Sequence, residues 1–194
     1  FRCHSNNLEI LNIDNNPLIT SLNCEANNIN ILNLTNQTNL EDLECSDNNI
    51  TSLDLSSNLQ LSQLKARGNP VLSLDLSNHD LLTFLQLRDN QFLEDLNLRN
   101  SNLYNLVFFE VTNAPSLSCI KVLDPNWLHN EISNNSSFNV GEEIDFDVLC
   151  SENNQDNFYV STNGNDAIGY GTVDSPFKTI QTAINAATNG NTIN

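Results

Sequence analysis

The residues of this chain best suited to chemistry are its five cysteines and three histidines. Cys3, Cys24 and Cys45 recur every 21 residues, in the frames FRCHSNN, SLNCEANN and DLECSDNN. A metal site needs thiolates that converge on a tetrahedron. Equal phases in successive turns of a stacked chain give a line of thiols instead. The same position is filled later by Ala66, Leu87 and Phe108, so the three thiols read as small buried hydrophobes. His4 falls on the opposite side of its strand from Cys3, and His79 and His129 lie at unrelated phases. No metal and no cofactor are expected.

The carboxylates offer little more. Asp54 and Asp75 stand one period apart beside Leu53 and Leu74, in an exposed column where each raises the other's pKa slightly. A solvated ladder of this kind is a weak acid–base site. Asp166 and Asp174 lie among glycine-rich turns and read as turn formers, not as a calcium or acid pair. There is no glycine-rich phosphate cradle and no serine or cysteine nucleophile near a suitable histidine. No catalytic residue is assigned.

The elements that position these side chains come from the repeat itself. A period of 21 aligns Phe1, Leu22, Leu43, Leu64, Leu85 and Leu106, and two residues on Cys3, Cys24, Cys45, Ala66, Leu87 and Phe108. A third column reads Asn6, Asn27, Asn48, Asn69 and Asn90. Each unit carries a second apolar pair: Leu11 with Ile13, Leu32 with Leu34, Leu53 with Leu55, Leu74 with Leu76, then Leu96 with Leu98 after a one-residue slip. The period is too short for two helices, and the alternation has period two, so short strands are predicted. Stacking buries the leucines as columns. An inward asparagine can both donate to and accept from backbone groups that leave the ladder at a turn, which makes that column structural.

Composition narrows the partners. Twenty-four acidic against seven basic residues give a formal net charge of −17, which disfavours nucleic acid and anionic bilayers. No apolar run is long enough to insert in a membrane. The chain starts at Phe1, without an initiator methionine or a leader, and ends at NGNTIN, so it reads as an excerpt of a longer protein.

The unit LEDLECSDNNITSLDLSSNLQL at 40–61 resembles the short 21-residue variant of leucine-rich repeats found in large secreted bacterial proteins, and the resemblance runs from residue 1 to about 122. It implies a solenoid whose exposed strand residues bind protein or glycan ligands. Here those columns are Asn23, Glu44, Lys65 and Gln86; Glu25, Ser46, Arg67 and Arg88; and Asp42, Gln63, Phe84 and Asn105. Lys65, Arg67 and Arg88 are expected to make the middle of the face positive and to suit an acidic glycan or acidic protein loop, with Glu44, Gln86 and Phe84 beside them. Both halves of the unit have strand-like patterns, so either face remains open as the binding face.

From Leu103 the pattern degrades, and Trp127, Leu128, Phe138, Val140, Ile144, Phe146 and Val148 supply cover for the open end. The run SFNVGEEIDFDVLC predicts one or two strands. This stretch resembles the end segment of the same repeat group, which implies a Cys119–Cys150 disulfide and a location outside the cytoplasm, secreted or at the cell surface. SENNQDN, 151–157, is a polar linker. Beyond it FYVS predicts a strand and SPFKTIQTAINAA a helix, with Ser175 as cap, Pro176 at the first position, Phe177, Ile180, Ile184 and Ala187 on one face, and Gly190 as stop. Residues 158–194 resemble the opening of secreted pectate-lyase-like right-handed parallel β-helix proteins. That family's catalytic residues lie on rungs this sequence does not contain, so none is carried over.

The expected fold class is mainly β: a leucine-rich repeat solenoid over 1–122 with short strands and few or no helices, a β-rich C-terminal cap over 123–150, then a strand and capping helix of an incomplete β-helix over 158–194. The expected function is a non-catalytic protein- or glycan-binding module of a secreted or cell-surface bacterial protein. The alternatives are a structural spacer or adhesin stalk, or part of a polysaccharide-degrading enzyme whose active site lies elsewhere in the parent protein.

Overall fold

The computed structural model describes residues 1–100, 102–150, 157–167, 169–187 and 191–194. It is mainly β, with short strands paired in parallel and two short helices. The period accounts for this: from Leu22 on, the first apolar pair of each unit supplies one short strand before the chain must turn, and the same phase one coil later supplies its partner. The second pair forms a strand only from Leu74 on, and Leu11–Ile13, Leu32–Leu34 and Leu53–Leu55 do not. Numbered along the chain, β1 (Ser21–Asn23), β2 (Asp42–Glu44), β3 (Gln63–Lys65), β5 (Phe84–Gln86), β7 (Phe108–Val111) and β9 (Phe138–Val140) form one sheet in that order. A second sheet is built from β4 (Ser73–Asp75), β6 (Asp95–Leu98), β8 (Cys119–Val122) and β10 (Asp145–Asp147). Leu22, Leu43, Leu64 and Leu85 pair in register and are wholly buried. Both sheets contribute to one core reaching from Ile13 to Phe146. At about 1.5–3 kcal/mol per buried leucine-sized side chain, these columns dominate stabilisation.

Each coil leaves the first sheet through a residue in the left-handed region: Ser5, Ala26, Asp47, Gly68, Asp89 and Asn113, with φ between 53° and 63°. At four of these turns the following asparagine is buried: Asn27, Asn48, Asn69 and Asn90. At Gly68 a Cβ would stand 2.5 Å from Asp47 Oδ1, so glycine serves both the turn and the close approach of its neighbour.

The coil after β5 is longer than the period predicts. Phe84 pairs with Phe108 and Leu85 with Phe109, a step of 24 residues. The inward ladder therefore continues through Phe109 and Val111, and not through Leu106 and Phe108 as the repeat alone suggests. Phe108 turns to the outer face, and Asn105 leaves the face for a 3-10 turn at Leu103–Asn105. The additional residues are taken up in that turn.

The end of the stack is β-rich, and it also contains a helix that the sequence reading did not place. Helix α1 (Pro125–Asn134) starts on Asp124, whose carboxylate accepts from the Trp127 amide at 3.0 Å, with Pro125 at the first position. The signal DPNW was present in the sequence but was overshadowed by the strand-like run after it. Strand β9 extends the first sheet and β10 the second, so the cap covers both. Trp127 packs edge-on to Phe138, and Phe138 to Phe109. Cys119 and Cys150 are disulfide-bonded, closing 31 residues of separation.

The C-terminal segment pairs β11 (Asn157–Phe158) in parallel with β12 (Thr192–Ile193), with α2 (Ile180–Ala186) between them. The helix is shorter than expected and is capped by Thr179, not Ser175. Phe177 is drawn into a bridge with Val160: its amide donates to the Tyr159 carbonyl, and its own carbonyl accepts from Ser161. This tertiary pairing holds Pro176–Phe177 out of the helix. Of the expected apolar face, Phe177 is buried and Ala187 packs against the same core, but Ile180 and Ile184 are exposed while Thr182, Ala183 and Ala186 are buried. Gly190 and most of the 151–157 linker lie outside the described residues. Val148 and Leu149 share a second core with Phe158, Phe177, Ala183 and Ala186. Buried Arg99 donates to the Gly169 carbonyl at 2.7 Å and lies over the Tyr170 ring, while Asn185 donates to the Leu123 carbonyl. The segment is thereby joined to the stack by polar contacts as well as by a shared core.

Candidate recognition face and the ladders beneath it

Two buried ladders fix the spacing of the outer face. In the first, the Asn48 amide donates to the carbonyls of Cys24, Cys45 and Ser46 at 3.0–3.1 Å, and its oxygen accepts from the Ile29 amide at 3.0 Å. Asn27 and Asn69 repeat this scheme one coil away on either side. Asn90 accepts from the Asn69 amide and donates to Ala66 and Leu87. Asn6 is exposed and donates only within its own coil, to Cys3 and His4.

Sequence reasoning missed the second ladder. Gln37, Asn58, His79 and Asn100 are 21 residues apart and buried. Each donates back to an earlier turn: Gln37 to the Ile13 carbonyl at 2.8 Å, Asn58 to Leu34 at 3.0 Å, His79 Nε2 to Leu55 at 3.2 Å, and Asn100 to His79. His79 is therefore in phase, not at an unrelated position. The column went unseen because its members differ in residue type, although the equal spacing was legible.

A third column corrects the account of Asp54 and Asp75. With Asn12, Asn33 and Asn97 they accept from the backbone amide two residues on, at 2.9–3.2 Å. These are turn-closing side chains. The hydrogen bonds from Ser56 hold the Asp54 carboxyl below its ordinary value, the opposite of mutual elevation along a ladder. Asp166 stands in a turn, as expected, and reaches beyond it: its carboxylate accepts from the amides of Lys178 and Thr179, fixing the approach to α2.

The thiols are chemically quiet. Burial pushes the Cys24 thiol up to about 12, with Cys3 adding to the effect, and raises Cys45 and Cys3 as well. A thiol so protonated is neither nucleophile nor ligand near neutral pH. Among the described residues no group of three or more histidines, cysteines or carboxylates is placed to hold a metal.

The outer face of the six-stranded sheet presents three in-register columns. Asn23, Glu44, Lys65, Gln86 and Glu110 form the middle one. The Asn23 amide donates to Glu44 at 2.9 Å, Lys65 sits 3.5 Å from Glu44, and Gln86 donates to Glu110 at 2.8 Å. Beside it, Phe84 and Phe108 stack with ring centroids 4.3 Å apart, and Lys65 lies 5.8 Å from the Phe84 centroid. On the other flank Arg67 contacts Asp47 at 3.8 Å and Asp89 at 3.2 Å, and Arg88 contacts Asp89 at 3.3 Å. Asp89 is held below the usual carboxylate range by the Asn113 amide first, then by Arg88 and Arg67.

The structure thus brings Lys65, Arg67, Arg88, Glu44, Gln86 and Phe84 onto one face. It does not leave the three cations free. Each is matched by a carboxylate: Lys65 and Arg67 by neighbours one coil away, and Arg88 by Asp89 beside it in the same coil. The sequence could not show this, because the partners of Arg67 are 20 and 22 residues distant from it.

No family model and no curated protein matches the sequence. Among solved structures, the functional domain of InlJ from Listeria monocytogenes, described as including a cysteine ladder, aligns with 78% of this chain at 20% identity and a TM-score of 0.44. The alignment spans 41% of that chain, less than half of its length.

Proposed function

We propose that residues 1–122 form a leucine-rich-repeat solenoid, covered by 123–150, and that its six-stranded face is a non-catalytic recognition surface of a secreted or cell-surface protein. The ligand is a protein or a glycan. One observation carries this reading: parallel register turns single side chains into continuous outward columns, a polar one at Asn23–Glu44–Lys65–Gln86–Glu110 and beside it Asp42–Gln63–Phe84–Phe108, which ends in the aromatic stack. A stacked aromatic pair on the outside of a sheet does not serve the core, whereas a rigid apolar platform beside charged groups suits an interface. The Cys119–Cys150 bridge supports an oxidising compartment. Protonated, buried thiols support a non-catalytic role. Parallel pairing of β11 with β12 around α2 supports reading 158–194 as the opening of a parallel β-helix. Among the described residues no helix is long and apolar enough to cross a membrane.

The test is a panel of extracellular proteins and oligosaccharides probed with the whole chain, with a Phe84→Ser/Phe108→Ser variant, and with an Asp54→Asn/Asp75→Asn variant on the opposite side. A ligand lost with the aromatic pair and retained by the second variant supports the face. Equal binding by all three proteins would remove it.

A further inference from the structure

Where the end of the stack meets the C-terminal segment there is a cleft of about 200 Å³, and the described residues that line it include none of the outward columns. The stack contributes Tyr104, Asp124 and Trp127, and the C-terminal segment Asp166, Thr179 and Gln181. Tyr104 is 56% exposed, yet its ring is fixed at two points. Its hydroxyl donates to Asp124 Oδ2 at 3.2 Å, and the ring meets Trp127 at 72° with centroids 4.8 Å apart. Asp124 is held in turn, because its other oxygen accepts from the Trp127 amide, and Trp127 rests on Phe138 of the core. An aromatic ring that is immobilised and still open to water is a platform formed before any ligand arrives.

The polar groups of the cleft restrict what can lie on it. The Gln181 amide nitrogen donates to Asn185 Oδ1 at 2.9 Å, and Asp166 takes the Lys178 and Thr179 amides on Oδ1 alone. Gln181 Oε1 and Asp166 Oδ2 are left to accept from a ligand. No lysine, arginine or histidine is among the described residues that line the cleft, so an anionic group finds no counter-charge there. Its volume is below the ~300–1,000 Å³ of pockets for drug-sized ligands, which limits it to one small unit. A sugar ring meets each demand, with an apolar C–H face for the aromatic ring and hydroxyls that donate to the acceptors. An alkylammonium group suits the cleft less, since both oxygens of Asp124 already accept from within the chain.

We propose that this cleft binds one uncharged sugar unit of a glycan, with the C–H face of the sugar on the Tyr104 ring and its hydroxyls on Asp166 and Gln181. The proposal is independent of the recognition reading of the six-stranded face, and either can hold without the other.

Trp127 is the only tryptophan of the chain, so its fluorescence reports on this cleft. The whole chain is titrated with the methyl glycosides of glucose, galactose, mannose and N-acetylglucosamine, and with galacturonic acid and glucosamine as charged counterparts. The proposal expects a neutral sugar to change the emission with a Kd of about 1 mM, and galacturonic acid to leave it unchanged. Tyr104→Ala should weaken that binding roughly tenfold or more. Asp166→Asn keeps an oxygen for the Lys178 and Thr179 amides and turns the remaining acceptor into a donor. It should weaken binding about three- to tenfold, while the unfolding midpoint stays unchanged. The Phe84→Ser/Phe108→Ser variant should bind the sugar as the unaltered chain does. A response to glucosamine alone would overturn the proposal, because the cleft would then be a cation site, and so would galacturonic acid binding as well as galactose. Binding untouched by both Tyr104→Ala and Asp166→Asn, or lost with the Phe84–Phe108 pair, would place the sugar elsewhere and overturn it too. Silence toward every neutral sugar would also remove the cleft, and the six-stranded face would still stand or fall by its own panel.

Discussion

The two buried polar ladders do similar work with different residues. The first is asparagine at each of its four buried positions: Asn27, Asn48, Asn69 and Asn90. The second holds a glutamine, an asparagine, a histidine and another asparagine. The first ladder uses both ends of the amide, because each oxygen accepts a backbone amide from the previous coil while the nitrogen donates to carbonyls in two coils. In the second, the donor does the bridging, and Gln37 Oε1, Asn58 Oδ1 and His79 Nδ1 are buried without a hydrogen-bond partner among the described residues. A two-ended demand in fixed geometry admits one residue type. A demand for a donor alone admits several.

The sharpest way to break this comparison is to exchange donor for acceptor in each ladder. Asn48→Asp places a carboxylate against three carbonyls and should cost about 3–5 kcal/mol in urea unfolding. Asn48→Ala strands groups without adding charge and should cost about 2–3 kcal/mol. Asn58→Ala removes donors only, to Leu34 and Gln37, and is expected to cost less, about 1–2 kcal/mol. If Asn58→Ala proved as costly as Asn48→Ala, the distinction between the ladders would disappear.

Histidine within the second ladder adds a pH dependence that the first lacks. Burial depresses the His79 pKa, with the Leu55 carbonyl and nearby Asp75 opposing it. The unfolded chain therefore takes up a proton at about pH 6.5, before the folded one does. Stability from this source is fully present above that pH and is lost as pH falls through the lower folded value. His79→Asn, which matches Asn58 in the same column, should change stability at pH 8 by no more than about 1 kcal/mol. It should also flatten the fall in unfolding midpoint between pH 7 and pH 5.5. An unaltered pH profile would count against the assignment. The smallest effect is expected on the outer face: Arg67→Gln breaks contacts with Asp47 and Asp89 that are half open to water, and thermal unfolding should shift by less than about 1 kcal/mol equivalent.

Much of the candidate site could be foreseen from residue spacing, and what could not be foreseen has identifiable causes. Glu44, Lys65 and Gln86 were placed together because a shared phase implies a shared column. Phe108 was assigned to the core because a constant period was extended past Leu85, where the coil is three residues longer. The helix before residue 180 was expected from Ser175 and Pro176, and pairing of Phe177 with Val160 overrode that local signal. Most consequential was the charge of the face: three cations at neighbouring phases suggested a positive patch, and the carboxylates that match Lys65 and Arg67 come from adjacent coils.

Within the regular coils the sequence alone determined that the leucine column from Leu22 to Leu85 and the asparagine column from Asn27 to Asn90 point inward, since a fixed period leaves those leucines one way to be buried and those asparagines one way to be satisfied. Only the tertiary structure decided where the period stretches, which residues cap the ends and what the face offers a partner. Those outcomes depend on which coil lies against which, and contacts between coils are made by residues too far apart along the chain for any local pattern to record.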